Sequence, residues 1–186
     1  MASSASNSVL IGNPGAFDSI QTATVSNTTT TSITFSSIPS TYKHLRVISY
    51  WSDSNTANNT WLYTTFNGDT GSNYDWHRMY GNGDNIPPQA SAGANAVYAV
   101  TGSDNQGNAD YWAGADMIIP NYTGDGNKSI QGYSFQNRGS SSLGIVLNWT
   151  SEWRNTSAIT SMTITADATQ PYFRQGSKFG LYGIKG

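Results

Sequence analysis

Lys43-His44-Leu45-Arg46-Val47-Ile48-Ser49-Tyr50-Trp51 is the stretch that decides the fold. Successive side chains of an extended chain point to opposite sides, so Leu45, Val47 and Ser49 share one face while His44, Arg46, Ile48 and Tyr50 share the other. Apolar residues stand on both faces, and both sides of this strand are therefore expected to be partly covered. Working outward, strands are predicted near Ser19–Val25 and Ser32–Ser36, where Ile33 and Phe35 alternate with polar residues. Further candidates lie near Thr60–Phe66, Asp75–Tyr80, Ala96–Thr101, Tyr111–Ile119, Ser129–Gln136, Gly144–Thr150, Ala158–Thr165 and Lys178–Ile184. The segments between them carry turn chemistry, such as Asn67-Gly68, Asn82-Gly83, Gly124-Asp125-Gly126 and Arg138-Gly139.

About ten short strands with no amphipathic helix predict an all-β, jelly-roll-like β-sandwich. The Pro87-Pro88 pair removes two ladder donors, so Ile86–Gly93 is expected to be a long loop. Residues 1–17 read as a polar N-terminal arm, broken by Asn13-Pro14-Gly15, that anchors the protein to neighbours, and residues 18–186 as the sandwich domain. The arm has no cationic segment, and its apolar run from Val9 to Ile11 is too short for a secretion signal. No stretch approaches the length of a membrane span, and no membrane partner is expected.

The composition narrows the function classes. Charged residues are 11% of the chain, against roughly 25% in an average soluble domain, while Ser, Thr and Asn supply about a third. Disordered chains combine high net charge with few aromatics; here the net charge is −2 and aromatics are 12%, which points to a packed core. Nine Lys and Arg against eleven Asp and Glu supply no basic field for phosphates, so nucleic acid is not an expected partner. With no cysteine there is neither a disulfide framework nor a thiolate site.

Catalytic chemistry finds little to build on. His44 and His77 lack the spacing of a zinc helix. An Asp75–His77 pair with a distant serine has no nucleophile-elbow sequence beside it. Most Asp residues sit in Gly/Asn turns, where the carboxylate caps local amides. Asp104–Asp110 is rich in oxygen ligands but lacks the order and closing glutamate of a calcium-binding EF-hand. Glu152 is the one glutamate, and glycosidase chemistry needs a second carboxyl that the sequence does not identify. No catalytic, metal or cofactor-binding residue is assigned, and the chain is expected not to be an enzyme. The aromatics Trp51, Trp61, Trp76 and Trp112 are the candidate interaction residues, read as core or subunit-interface packing, with a sugar-stacking platform as the alternative and Trp76 and Trp112 as its expected members.

Three segments carry a resemblance: Ile38–Val47, a strand entered through a Pro turn; Phe66–Tyr74, with a hairpin-like Asn67-Gly68-Asp69 loop; and the terminal Gly176–Lys185, a final strand whose Gly180 and Gly183 are expected to let neighbouring backbone approach closely. In this order and spacing they resemble small virion structural proteins, or terminal domains of larger ones, of tailed phages of aquatic bacteria, including cyanophages. The resemblance implies a jelly-roll-like subunit on the exterior surface of the virion: a capsid decoration or cement protein or head-tail accessory, or alternatively a tail-fibre or receptor-binding domain recognising host-surface carbohydrate. Its partners would be phage capsid or tail proteins and further copies of itself, a homotrimer by analogy with many surface jelly rolls.

Overall fold

The structure, a computed structural model, describes residues 16–54, 60–81, 86–101, 112–136, 144–166 and 172–186. Those residues form twelve strands and no helix. In chain order the strands are β1 (Phe17–Thr24), β2 (Ser32–Phe35), β3 (His44–Trp51), β4 (Trp61–Phe66), β5 (Tyr74–Gly81), β6 (Pro88–Ala94), β7 (Val97–Thr101), β8 (Ala113–Pro120), β9 (Lys128–Gln136), β10 (Ile145–Trp153), β11 (Met162–Ala166) and β12 (Lys178–Ile184). Eight of them build a large sheet in the order β1-β12-β3-β8-β9-β10-β5-β6, and four build a small sheet in the order β2-β11-β4-β7. All the pairings are antiparallel, and the two sheets make a β-sandwich.

The core lies between the sheets and is filled by the side chains that period-two alternation turns inward. Leu45, Val47 and Trp51 of β3, Met117 of β8 and Leu147, Trp149 and Trp153 of β10 face Phe35, Leu62, Phe66, Met162 and Ile164 of the small sheet. Gly132 on β9 makes room for one of these rings, because a Cβ there would stand 2.5 Å from both the Trp149 indole and the Asp116 carbonyl. Trp51 and Trp149 bury their indole N–H groups without a partner among the described residues. Trp153 instead donates to Asp69 Oδ2 at 2.8 Å.

Three features depart from the sequence reading. Residues 88–94 are a strand rather than part of a loop. β6 is the edge of the large sheet and Pro88 its first residue, a place where a missing N–H breaks no ladder. The Asn67-Gly68-Asp69 turn does not close a hairpin, since β4 and β5 belong to different sheets. Asn67 and Gly68 both have positive φ (52° and 71°), and the Asp69 N–H bonds the Phe66 carbonyl at 2.9 Å, so a tight turn carries the chain from one sheet to the other. Gly180 and Gly183 make room for rings rather than for neighbouring backbone: an added Cβ would meet Tyr182 at 2.8 Å and Tyr42 at 2.3 Å respectively.

The crossing is clamped by Asp69. Its carboxylate accepts from the Trp153 indole, from Asn73 Nδ2 at 2.9 Å and from the Gly71 N–H at 2.9 Å. The Trp153 hydrogen bond is the main reason its pKa lies below the usual carboxylate value. Tyr74 completes the clamp, accepting from the Phe66 N–H and donating to the Asp69 carbonyl, both at 3.0 Å. Burial pushes the Tyr74 phenol up to about 12.

The expected arm lies outside the described residues apart from its end. β1 starts at Phe17, which pairs with Ile184. The oxygen-rich segment 104–110 also lies outside them.

Candidate interaction face

The small sheet covers one face of the large sheet; the opposite face is turned to solvent. Pairing register lays its side chains in rows that run across the strands. One row reads Tyr50, Gly114, Phe135, Val146 and Gly81; the next reads Ile48, Asp116, Tyr133, Asn148, Met79 and Pro88. The third reads Arg46, Ile118, Gln131, Thr150, His77 and Ala90; beyond it stand the pair His44 and Pro120 and the run Ser129, Glu152 and Asp75, which make the fourth. Chemistry divides this face in two: the first two rows are mostly apolar, and the last two mostly polar.

In the apolar half, Tyr50, Met79, Tyr133, Phe135 and Val146 are each more than half exposed, and Ile48 and neighbouring Ile118 are 42% exposed. Ten large hydrophobic side chains are exposed among the described residues, and with Phe17 this face holds eight of them; Ile86 and Tyr172 are the others. Scattered exposed apolar residues need no explanation, but their collection on one sheet face does. The Phe135 ring lies across Gly114, where an added Cβ would come within 2.5 Å of it. Trp112 stacks on Tyr50 with ring centroids 5.0 Å apart and planes 9° from parallel. The band is thus an ordered set of rings, with aliphatic side chains between them.

One ion pair sits within the band and is internally satisfied. Arg46 Nε donates to Asp116 Oδ1 at 2.8 Å, its Nη2 donates to Oδ2, and the Tyr133 hydroxyl donates to Oδ2 at 3.2 Å. The hydrogen bonds that Arg46 donates to Asp116 push its pKa up. Arg46 also lies over the Phe17 ring, 5.2 Å from its centroid.

The polar half is hollow. One depression of about 710 Å³ spans Ile118, Pro120, Ser129, Gln131, Thr150 and Glu152 and reaches Asp75 and His77. A second, of about 620 Å³, shares His77, Ala90, Gln131 and Thr150 with it and adds Asn148 and Gln89. Both volumes are in the usual range for ligand sites, roughly 300–1,000 Å³. The loop beside the hollow is held by Lys128, whose buried ammonium donates to the carbonyls of Gly124 (2.7 Å) and Asn155 (3.3 Å). From that loop Asn127 donates to Glu152 Oε1 at 3.1 Å.

The fold supplies the carboxyl partner for Glu152 that the sequence does not identify, since Asp75 stands directly opposite it on β5. Asp75 is not suited to be the acid that glycoside hydrolysis needs held protonated. Arg154 Nη1 and the Gly93 N–H both donate to Asp75, and the Arg154 hydrogen bond foremost pushes its pKa down. Those bonds also direct Asp75 to Arg154 and Gly93 rather than to His77, as a catalytic triad would require.

The four candidate tryptophans do not form one platform. Trp51 is fully buried, edge-on to Phe173 at 5.8 Å, and offers no ring to a ligand. Trp61 and Trp76 gather around Arg78, whose guanidinium carbon lies 3.8 Å and 4.7 Å from their ring centroids. Arg78 is held there by Gln89 Oε1 at 2.8 Å and the Tyr98 carbonyl at 3.1 Å, and burial pushes its pKa down. These rings are occupied by a cation of their own chain. Trp112 joins the solvent face through Tyr50, and Trp76 also borders the larger depression.

The residues missed by sequence reading are Ile48, Met79, Ile118, Tyr133, Phe135 and Val146. A signal for them exists: apolar residues in both phases of alternation on β3, β9 and β10, more than one buried face requires. No family model, no curated protein and no solved structure matches the chain.

Proposed function

We propose that the chain is a non-enzymatic structural subunit of a tailed-phage particle, a capsid decoration or cement protein or a head-tail accessory, which assembles on the virion exterior through the solvent face of its large sheet. The observation that carries this reading is the apolar band, a collection of exposed rings and aliphatic side chains on a protein otherwise rich in Ser, Thr and Asn. Burying such a band against a neighbour is the main favourable term in association. The low charge agrees, because interface cores are depleted in charged residues and enriched in aromatics. The phage setting rests on the three sequence segments alone. Mass spectrometry and immunogold labelling of gradient-purified particles test it: stoichiometric copies on head or neck are expected, and particles free of the chain overturn the reading.

A second reading follows from the hollow. Ser129, Gln131, Asn148 and Thr150 present uncharged donors and acceptors, and Glu152 and Asp75 add acceptors at one end, a set that suits the hydroxyls of a neutral glycan better than a phosphate. On this reading the chain is a tail-fibre or receptor-binding domain. Calorimetric titration with host-surface polysaccharide tests it, with Gln131→Ala and Thr150→Ala expected to abolish a saturable heat that the band variant Val146→Lys leaves intact.

A further inference from the structure

We infer that the apolar band is the contact with a second copy of this chain, seated face to face about a two-fold axis; the inference rests on the assembly reading and names its partner. The first reason is area. With full side-chain areas of roughly 150–250 Å² for the rings, the exposed parts of Ile48, Tyr50, Met79, Ile118, Tyr133, Phe135 and Val146 amount to about 700 Å². A stable protein–protein contact needs about 800 Å² per partner, so the band with a thin polar rim suffices.

The second reason is charge. A partner of different sequence is usually recognised through complementary charges, which also fix register. Here the one ion pair in the band, Arg46–Asp116, is already closed within the chain and capped by Tyr133. No charge is left in the band's centre for a partner to answer; the exposed Lys178, opposite Tyr50 on β12, stands at its border. Such a surface resembles a domain core cut in half, the character of homodimer contacts.

The third reason is symmetry. A two-fold axis parallel to the sheet, in the plane of contact, lays the band on its own copy, and an apolar, uncharged strip is complementary to itself.

Sedimentation velocity and light scattering of the full chain, from micromolar to hundreds of micromolar, test this. A reversible dimer is expected. Val146→Lys and Met79→Lys, both at well-exposed positions, should raise its dissociation constant by about thirtyfold or more, with circular dichroism and melting of the monomer unchanged. Thr150→Lys, in the hollow, should leave it unchanged. A monomer at every concentration overturns the inference, as does a trimer or larger ring indifferent to Val146→Lys. A dimer weakened by Thr150→Lys but not by Val146→Lys moves the contact to the hollow and also overturns it. Particle labelling separates the two proposals: a monomeric chain found on particles removes only the two-fold contact, and a dimer that never reaches particles removes only the virion reading.

Discussion

The two faces of the large sheet are built by the same strands, and β10 shows the contrast residue by residue. Ile145, Leu147, Trp149, Ser151 and Trp153 point inward and are buried, whereas Val146, Asn148 and Thr150 point outward and are exposed. The inner face is fitted ring by ring, with Gly132 yielding space to Trp149 and Asp69 receiving the Trp153 N–H. The outer face is apolar over half its rows, yet nothing in the chain's described residues covers it. Burial on the inner face is used for folding, and apolar area on the outer face is available for association. Variants on either side of one strand should therefore separate stability from assembly.

The largest effect is expected at Trp153→Ala. It removes a fully buried ring that packs on Phe66 and Tyr74 at 5.5 Å and 6.3 Å, and it takes a donor from Asp69. A loss of about 3–5 kcal/mol is expected in urea unfolding. A loss below about 1 kcal/mol would mean that the inner face is not the folding core.

Arg78→Ala comes next. The guanidinium lies between Trp61 and Trp76 and holds Gln89 and the Tyr98 carbonyl, so its removal leaves a gap between β5 and the small sheet. About 2 kcal/mol is expected to be lost. Arg78→Lys should recover only part of this, since an ammonium has no planar group to stack.

The strands were largely legible in the sequence because alternation and turn residues act locally: β1, β2, β3, β4, β5, β7, β8, β9 and β12 lie within a residue or two of their expected ends. β6 was not, because Pro87-Pro88 forbids only an interior strand, and edge position is a property of the whole sheet. The path after Asn67-Gly68 was not legible either. A tight turn specifies a reversal, and whether the next strand pairs with the last depends on distant partners, here Trp153 and Asp69. The candidate site was legible only as a mismatch. Tyr50 and Ile48 opposite Leu45 and Val47 announce two apolar faces, but which face the small sheet covers is decided by long-range packing. Trp51, read as packing, is buried in the core, and Trp61 and Trp76 lie against Arg78; a sequence gives a tryptophan's position along a strand and not the layer it enters.

A smaller effect, visible through pH, belongs to the crossing between the sheets. The folded-state pKa of Asp69 is depressed, so its contribution is complete above the unfolded carboxylate value of about 3.9 and is lost as pH falls through the lower folded value. Asp69→Asn should cost about 1 kcal/mol at neutral pH, less than a buried charge pair would, because the group is partly exposed. Once pH has fallen below that folded value the variant and the parent should converge in chemical denaturation. A gap that stays constant down to pH 2 would show that the side chain acts through shape alone.

The smallest effect on folding is expected at Val146, and it sharpens the contrast with its neighbour. Leu147→Ala should cost about 2–5 kcal/mol, since the side chain is fully buried. Val146 is 66% exposed, and Val146→Ala removes little area that folding had buried, so monomer stability should move by no more than about 0.5 kcal/mol. The two substitutions are one residue apart on β10, which holds strand propensity and position nearly constant. Melting of the dilute chain reads the folding term, and melting at high concentration adds whatever association contributes. If Val146→Ala lowers the melting temperature only at high concentration, the outer face is an association surface. If it lowers it equally at every concentration, Val146 is packed against its own chain and the division between the two faces fails at its most exposed point.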